Sequence, residues 1–223
     1  SEDKAIINSL GFNNKGIKKV KKNLIKHQKS YLNNKIVGVN IGKNKNSSEA
    51  IDDYLIGLEE LGDLASYITI NISSPNTEGL RDFHEKKEFE KLLIGINKIK
   101  EKKNILKPLA VKLSPDISDS EISEIIELIL KYKVNGIIIS NTTDRNRDNL
   151  SDFQKNEKGG LSGKPLKDLS SSLIKKFYKE TKGKVQIIGV GGVDSGQSAF
   201  DKISSGANVV QLYTGMVLSL IHI

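Results

Sequence analysis

Residues 71–77, "NISSPNT", place two amides and three hydroxyls directly after the apolar run "SYITI" (66–70). A buried strand gains nothing from unpaired polar groups, so these side chains serve a turn or a ligand. Taken alone, the heptapeptide reads as a Ser/Asn-rich turn. The same arrangement recurs along the chain: Asn40 follows "VGV", Ser140, Asn141 and Thr142 follow "III", glycines close "GVGG" (189–192), and Tyr213 and Thr214 follow "VVQL". Amides and hydroxyls at strand ends suit a planar polar ligand, and a serine held by Pro75, which fixes its own φ and restricts Ser74, suits an aimed hydroxyl.

Lys112 adds a charge. A lysine between Val111 and Leu113 often snorkels from an edge strand, but strand parity sends it the other way. If both neighbours pack outward against helices, Lys112 points inward, where an ammonium needs an anionic partner such as an electron-rich reduced flavin ring. "GVGGVDSG" (189–196) follows one apolar run and "LYTG" (212–215) ends the next. Unhindered backbone N–H groups at such turns can face a phosphate. One glycine turn is equally a structural turn; two in succession after consecutive strands match a recurrent phosphate site of barrels.

The elements that would position these groups are short β-branched runs at 35–42, 66–73, 109–114, 135–140, 185–192 and 208–215, with helical patterns between them. The clearest helical pattern is 118–133, where Ser118 and Glu121 form a capping box and Ile122, Ile125, Ile126 and Ile129 share a face. A βαβα order predicts a parallel sheet, either doubly wound or closed as a (β/α)8 TIM barrel. A doubly wound sheet gathers its ligands at one switch point, whereas a barrel gathers every strand end at one mouth. Six decorated strand ends favour the α/β barrel, with about six of its eight strands present.

Composition limits the function. A chain of 223 residues, 37% hydrophobic, suits one large domain or a large part of one. The net charge of +8 is spread along the sequence, and "KKVKKNLIKHQK" (18–29) alternates cations with apolar positions as an amphipathic helix does. No nucleic-acid partner is expected. Cysteine is absent and the three histidines, His27, His84 and His222, lie far apart, which removes disulfides, iron–sulfur clusters and Cys/His zinc sites and predicts no metal. Every apolar run falls short of the roughly 18 residues of a membrane span. No signal peptide is visible, although the chain opens in mid-pattern, so that an upstream targeting segment could be missing.

Eight ordered segments resemble motifs of the dihydroorotate dehydrogenase family, in its membrane-associated, quinone-reducing class 2 form. They are "INSLGFNNKG" (7–16), "VGVNIGKNK" (37–45), "INISSPNTEGLR" (70–81), "VKLSPD" (111–116), "ISNTT" (139–143), "KGGLSGKPL" (158–166), "IIGVGGVDSG" (187–196) and "VVQLYTG" (209–215). The resemblance runs from near the first residue to about Gly215. It implies an FMN-dependent barrel that oxidises dihydroorotate to orotate in de novo pyrimidine (UMP) biosynthesis. Hydride would pass from C6 to N5 of FMN, Ser74 would act as the base at C5, and a quinone would accept the electrons.

Carried over by position, Asn40, Asn71, Lys112, Ser140, Gly163, Gly192, Tyr213 and Thr214 match cofactor contacts. Asn8, Asn71, Asn76, Asn141 and Thr142 match substrate contacts, with Gly11 and Phe12 in the same loop as Asn8. Orotate is a planar array of amide donors and acceptors, which asparagine side chains can match in both directions. Serine is a poor base at neutral pH, so a water or a neighbouring hydroxyl, Thr77 or Thr142, is expected to relay its proton.

Class 1 relatives use a cysteine base, which this chain lacks, and this points to quinone rather than fumarate or NAD. Peripheral membrane association, at the bacterial cytoplasmic or mitochondrial inner membrane, would come through an N-terminal segment not present in the sequence. The family's first two strands would precede Ser1 and its final helix would follow the tail "MVLSLIHI", so residues 1–223 read as a single domain truncated at both ends. Its unpaired sheet edges would make it fold poorly alone. Ser9, Glu78 and Ser140 depart from the family's usual residues; Ser140 keeps a hydroxyl, and Glu78 would alter the loop over the site. The rival readings are another FMN barrel reductase such as a tRNA dihydrouridine synthase, an inactive fragment, and a phosphate-binding sugar isomerase, which has no need of the asparagine set.

Overall fold

A computed structural model describes residues 2–219 other than 31–34, 45, 46, 48, 78 and 146. Glu78 and His222, singled out in the sequence, lie outside the described residues. Six parallel strands form one sheet: β2 (Gly38–Ile41), β3 (Tyr67–Asn71), β4 (Leu109–Leu113), β5 (Gly136–Ile139), β7 (Gln186–Val190) and β8 (Val209–Gln211). Two further strands, β1 (Ala5–Asn8) and β6 (Gly160–Gly163), pair antiparallel as a separate ribbon. The helices are α1 (Ile17–Gln28), α2 (Ala50–Leu61), α3 (Lys86–Lys102), α4 (Asp119–Lys131), α5 (Lys167–Thr181), α6 (Gly196–Ser204) and α7 (Thr214–Ser219).

The order across the large sheet is β2, β3, β4, β5, β7, β8. It never reverses, so there is no switch point of the doubly wound kind, and the sheet is an arc of a (β/α)8 barrel. Within this sheet β2 and β8 are the two edges and do not pair with each other.

Strand register explains how one sequence builds both a core and a site. In parallel pairing Ile41, Ile70, Val111, Ile137 and Ile187 align in one row across five strands, and all are buried. This row faces the helices. Phe89, Leu92, Leu93 and Ile96 of α3 and Ile122, Ile125, Ile126 and Ile129 of α4 belong to the same core cluster. Each such side chain contributes about 1.5–3 kcal/mol by leaving water. The alternate positions point the other way, and there Asn71 pairs with Lys112 and Lys112 with Ile138.

The helix boundaries have local causes. At the start of α4 the Ser118 hydroxyl accepts from the Glu121 backbone N–H while the Glu121 carboxylate accepts from the Ser118 N–H, completing the predicted capping box. The amphipathic α1 buries Leu24 and packs Ile17 and Val20 against the core, leaving its cationic face outward. Strand lengths differ from expectation at the last run. The predicted 208–215 strand ends at Gln211, and Thr214 already begins α7.

Candidate active site

The C-terminal ends of the parallel strands and the β1/β6 ribbon enclose a cavity of about 570 Å³. Its lining includes Asn8, Gly11, Phe12, Asn40, Asn71, Ser74, Asn76, Lys112, Ser140, Asn141, Thr142, Gly163, Gly192, Tyr213 and Thr214. The structure thus brings together all the residues that the sequence assigned to cofactor, substrate and base, from strand ends and loops more than two hundred positions apart. Thr77, the other expected relay, is buried outside the lining.

Side chains build the wall above β3, β4 and β5. Asn71 Oδ1 accepts from the Ser73 hydroxyl at 2.9 Å and the Ser73 N–H at 3.2 Å. Asn141 Nδ2 donates to Ser73 Oγ at 3.0 Å, and Asn141 Oδ1 accepts from the Thr142 N–H at 2.8 Å. The buried Tyr54 hydroxyl holds the Asn71 carbonyl at 2.7 Å, and its burial raises the phenol pKa well above the usual range. The amides are therefore fixed in orientation before any ligand arrives, which removes part of the ordering cost of binding.

Ser74 is buried at the head of its turn. Its Oγ accepts from the Asn76 N–H at 3.3 Å, an interaction that favours a developing negative charge on that oxygen. Asn76 Nδ2 reaches across to the Asn8 carbonyl at 3.0 Å, fastening the ribbon to this loop. A second fastening is the β-bridge between Thr143 and Leu161. Gly160 has no room for a side chain, because a Cβ there would run into Thr142 and Pro75.

Lys112 lines the cavity between these walls, as strand parity required. Burial lowers its pKa, and no neighbouring charge offsets that shift. An ammonium held this way fits an anionic ligand. The opposite wall is formed by Val190 at the end of β7, by Gly191, Gly192 and Val193 beyond it, and by Thr214 and Gly215 after β8. Gly191 and Gly192 have φ of 112° and 70°, conformations that open the turn toward the cavity and that residues with a Cβ avoid. The Thr214 hydroxyl donates to Ser162 Oγ at 2.8 Å, tying this wall to β6.

Two features escaped the sequence. The ribbon strands were read only as motif segments, although the "AII" run at 5–7 was a short strand signal. His84, ten residues beyond Ser74, hydrogen-bonds the backbone of Ile72 from outside the cavity, and burial lowers its pKa to about 4. It is a neutral support for the strand end. No metal-binding cluster of His, Cys, Asp or Glu exists among the described residues, and no described helix is long and apolar enough to cross a membrane.

Fold and cavity define a barrel-type α/β protein with a polar ligand site at its strand ends. The chain belongs to the dihydroorotate dehydrogenase family, whose profile matches residues 1–222. The similarity therefore continues past Gly215, where the sequence motifs alone suggested that it fades. Among curated relatives, the quinone-dependent dihydroorotate dehydrogenase of Idiomarina loihiensis is 44% identical over 97% of this chain and 65% of its own length. That of Wigglesworthia glossinidia brevipalpis is 46% identical over 95% and 64%. The mouse mitochondrial form is 41% identical over 96% and 56%. A crystal structure of DHODH from Eimeria tenella in complex with ferulenol superposes with a TM-score of 0.91 at 34% identity, covering 97% of this chain and 64% of that one. The chain thus spans somewhat less than two thirds of the length of these relatives.

Proposed function

We propose that the protein oxidises dihydroorotate to orotate in pyrimidine biosynthesis, with FMN as bound cofactor and a quinone as the final acceptor. The observation that carries this reading is the meeting, in one cavity, of a fixed amide array, a buried serine, an unpaired ammonium and a double-glycine turn. The quinone-specific names of the relatives support the choice of acceptor. Work at a membrane surface, with peripheral attachment, follows from a lipid-soluble acceptor.

The residues present fit FMN. Gly191, Gly192 and Val193 with Thr214 and Gly215 would hold its phosphate through backbone N–H groups. Asn40, Asn71, Ser140, Gly163 and Tyr213 would contact the rest of the cofactor, and Lys112 would balance negative charge on the ring. FMN, when bound, supplies the hydride acceptor.

On the substrate side, Asn8, Asn71, Asn76, Asn141 and Thr142 would pair with the ring amides, and Gly11 and Phe12 of the Asn8 loop would cover the bound ring. Ser74 Oγ takes the proton from C5 as its own hydroxyl proton passes to a water or to Thr142, and the Asn76 N–H stabilises the partial negative charge that this departure leaves on the oxygen. Thr142, which lines the same cavity, would pass the proton onward. The test is steady-state turnover of the full-length protein with a soluble quinone. Orotate formation that requires both dihydroorotate and quinone supports the reading; orotate formation with NAD or fumarate but not quinone overturns the acceptor.

A further inference from the structure

Lys202, on α6, is a fully buried cation outside the cavity. Its side chain is fully buried, among the largest such side chains in the protein. The stem leaves the last turn of α6 and the ammonium lands in the first turn of α5. There it donates to the Lys167 carbonyl at 2.6 Å, Ser170 Oγ at 2.6 Å and Ser171 Oγ at 2.8 Å. Three N–H donors meet three neutral acceptors, and no carboxylate touches the ammonium. Asp201, the nearest acid in sequence, is paired with Lys167 at 2.7 Å.

This is a costly place for a cation. The first turn of a helix is the positive end of its dipole, so a cation there opposes α5. Burial without a directly bonded anion adds a desolvation penalty, which brings the Lys202 pKa down to about 8. Helix stability gives no reason for this arrangement. Its other side gives one.

The first turn of α5 is pressed against the glycine turn of the cavity. A Cβ on Gly192 would lie 2.7 Å from Lys167 Cα, and one on Gly191 would lie 3.0 Å from Ser170 Oγ. Ser170 Oγ also sits 3.3 Å from the Gly191 carbonyl. Lys202 therefore bonds Lys167 and Ser170, the two residues of this first turn against which the cavity-lining glycines are seated, one hydroxyl away from the Gly191 backbone.

We propose that Lys202 is a positioning residue for an anion at the Gly191 and Gly192 turn, fixing that turn from behind and supplying the positive charge that selects the cofactor's phosphate. The proposal rests on the FMN reading above. Substrate and the Ser74 wall are not involved.

The test compares FMN with riboflavin, the same ring lacking the phosphate, for binding to the full-length apoprotein by flavin-fluorescence titration. Wild type should prefer FMN. Lys202→Met should reduce that preference by about tenfold or more while riboflavin affinity stays within about twofold, and Lys202→Arg should restore part of it. Equal weakening of both ligands, or an unchanged preference, overturns the proposal. Should Lys202→Met not fold, Ser170→Ala carries the test: a preference reduced by about threefold supports the proposal and an unchanged one overturns it. A wild-type protein that binds riboflavin as tightly as FMN would instead refute the cofactor reading itself.

Discussion

Across the cavity, the wall above β3, β4 and β5 presents side-chain amides and hydroxyls, whereas the wall after β7 and β8 presents backbone at Gly191, Gly192 and Gly215. The first is held by hydrogen bonds among its own functional groups, as in the chain from Asn71 through Ser73 to Asn141. The second offers fewer side chains: the Thr214 hydroxyl ties it to Ser162 of β6, and its glycine turn is seated on α5, where Gly192 meets Lys167 and Lys202 bonds the Lys167 carbonyl. A ligand with a planar polar ring at one end and a phosphate at the other would need these two kinds of wall. Donors and acceptors in a ring have to be matched atom by atom, while a phosphate accepts any N–H groups aimed at it.

Substitutions on the two walls should then separate chemistry from cofactor retention. The largest effect belongs to the amide wall. Ser74→Ala should slow flavin reduction by dihydroorotate by about 10²–10⁴-fold, with FMN affinity unchanged, in anaerobic stopped-flow. Equal rates for variant and wild type would remove Ser74 from the reaction.

On the other wall, Gly192→Ala forces a Cβ to within 2.7 Å of Lys167 Cα at a φ of 70°. The variant should lose FMN affinity by roughly 10–100-fold, the equivalent of about 1–3 kcal/mol of strain. Reduction of the flavin that remains bound should keep its rate, which equilibrium dialysis followed by single-turnover kinetics would check.

Asn141→Ala would remove one proposed ring contact and one of the hydrogen bonds at Ser73, so the KM for dihydroorotate should rise by about tenfold with FMN content unchanged. Loss of flavin in this variant would mean that the walls are not separable.

The smallest effect is one of pH. Lys202 is charged below its pKa of about 8 and neutral above it. Preference for FMN over riboflavin should decline severalfold as pH rises through that value and should stay flat in Lys202→Met. The other charges facing Lys202 are Asp168 and Lys167 on α5 and Asp201 on α6. Lys167 and Asp201 form an ion pair that holds the carboxyl below and the ammonium above their ordinary values, so neither changes charge in that range.

The two walls also differ in how far the sequence revealed them. Asn71, Ser74, Asn141 and Lys112 are unusual residues at the ends of apolar runs, and alternation alone sends Lys112 inward. The six parallel strands were legible for the same reason, since β-branched runs of strand length are local signals. The ribbon was not: "GLSG" carries too much glycine to read as a strand, and its pairing with β1 joins Ile6 to Ser162 across the whole chain. Lys202 was hidden most completely. A lysine in the last turn of an amphipathic helix reads as solvated, and only the docking of α5 onto α6 buries it.

A cavity that holds a flavin and a dihydropyrimidine in contact must let one reduce the other. Anaerobic addition of dihydroorotate to the full-length protein, followed by its flavin absorbance, tests this most directly. Bleaching of the flavin, reversed by a quinone, is the predicted result. A protein that retains its flavin and leaves it oxidised in the presence of dihydroorotate would contradict the account.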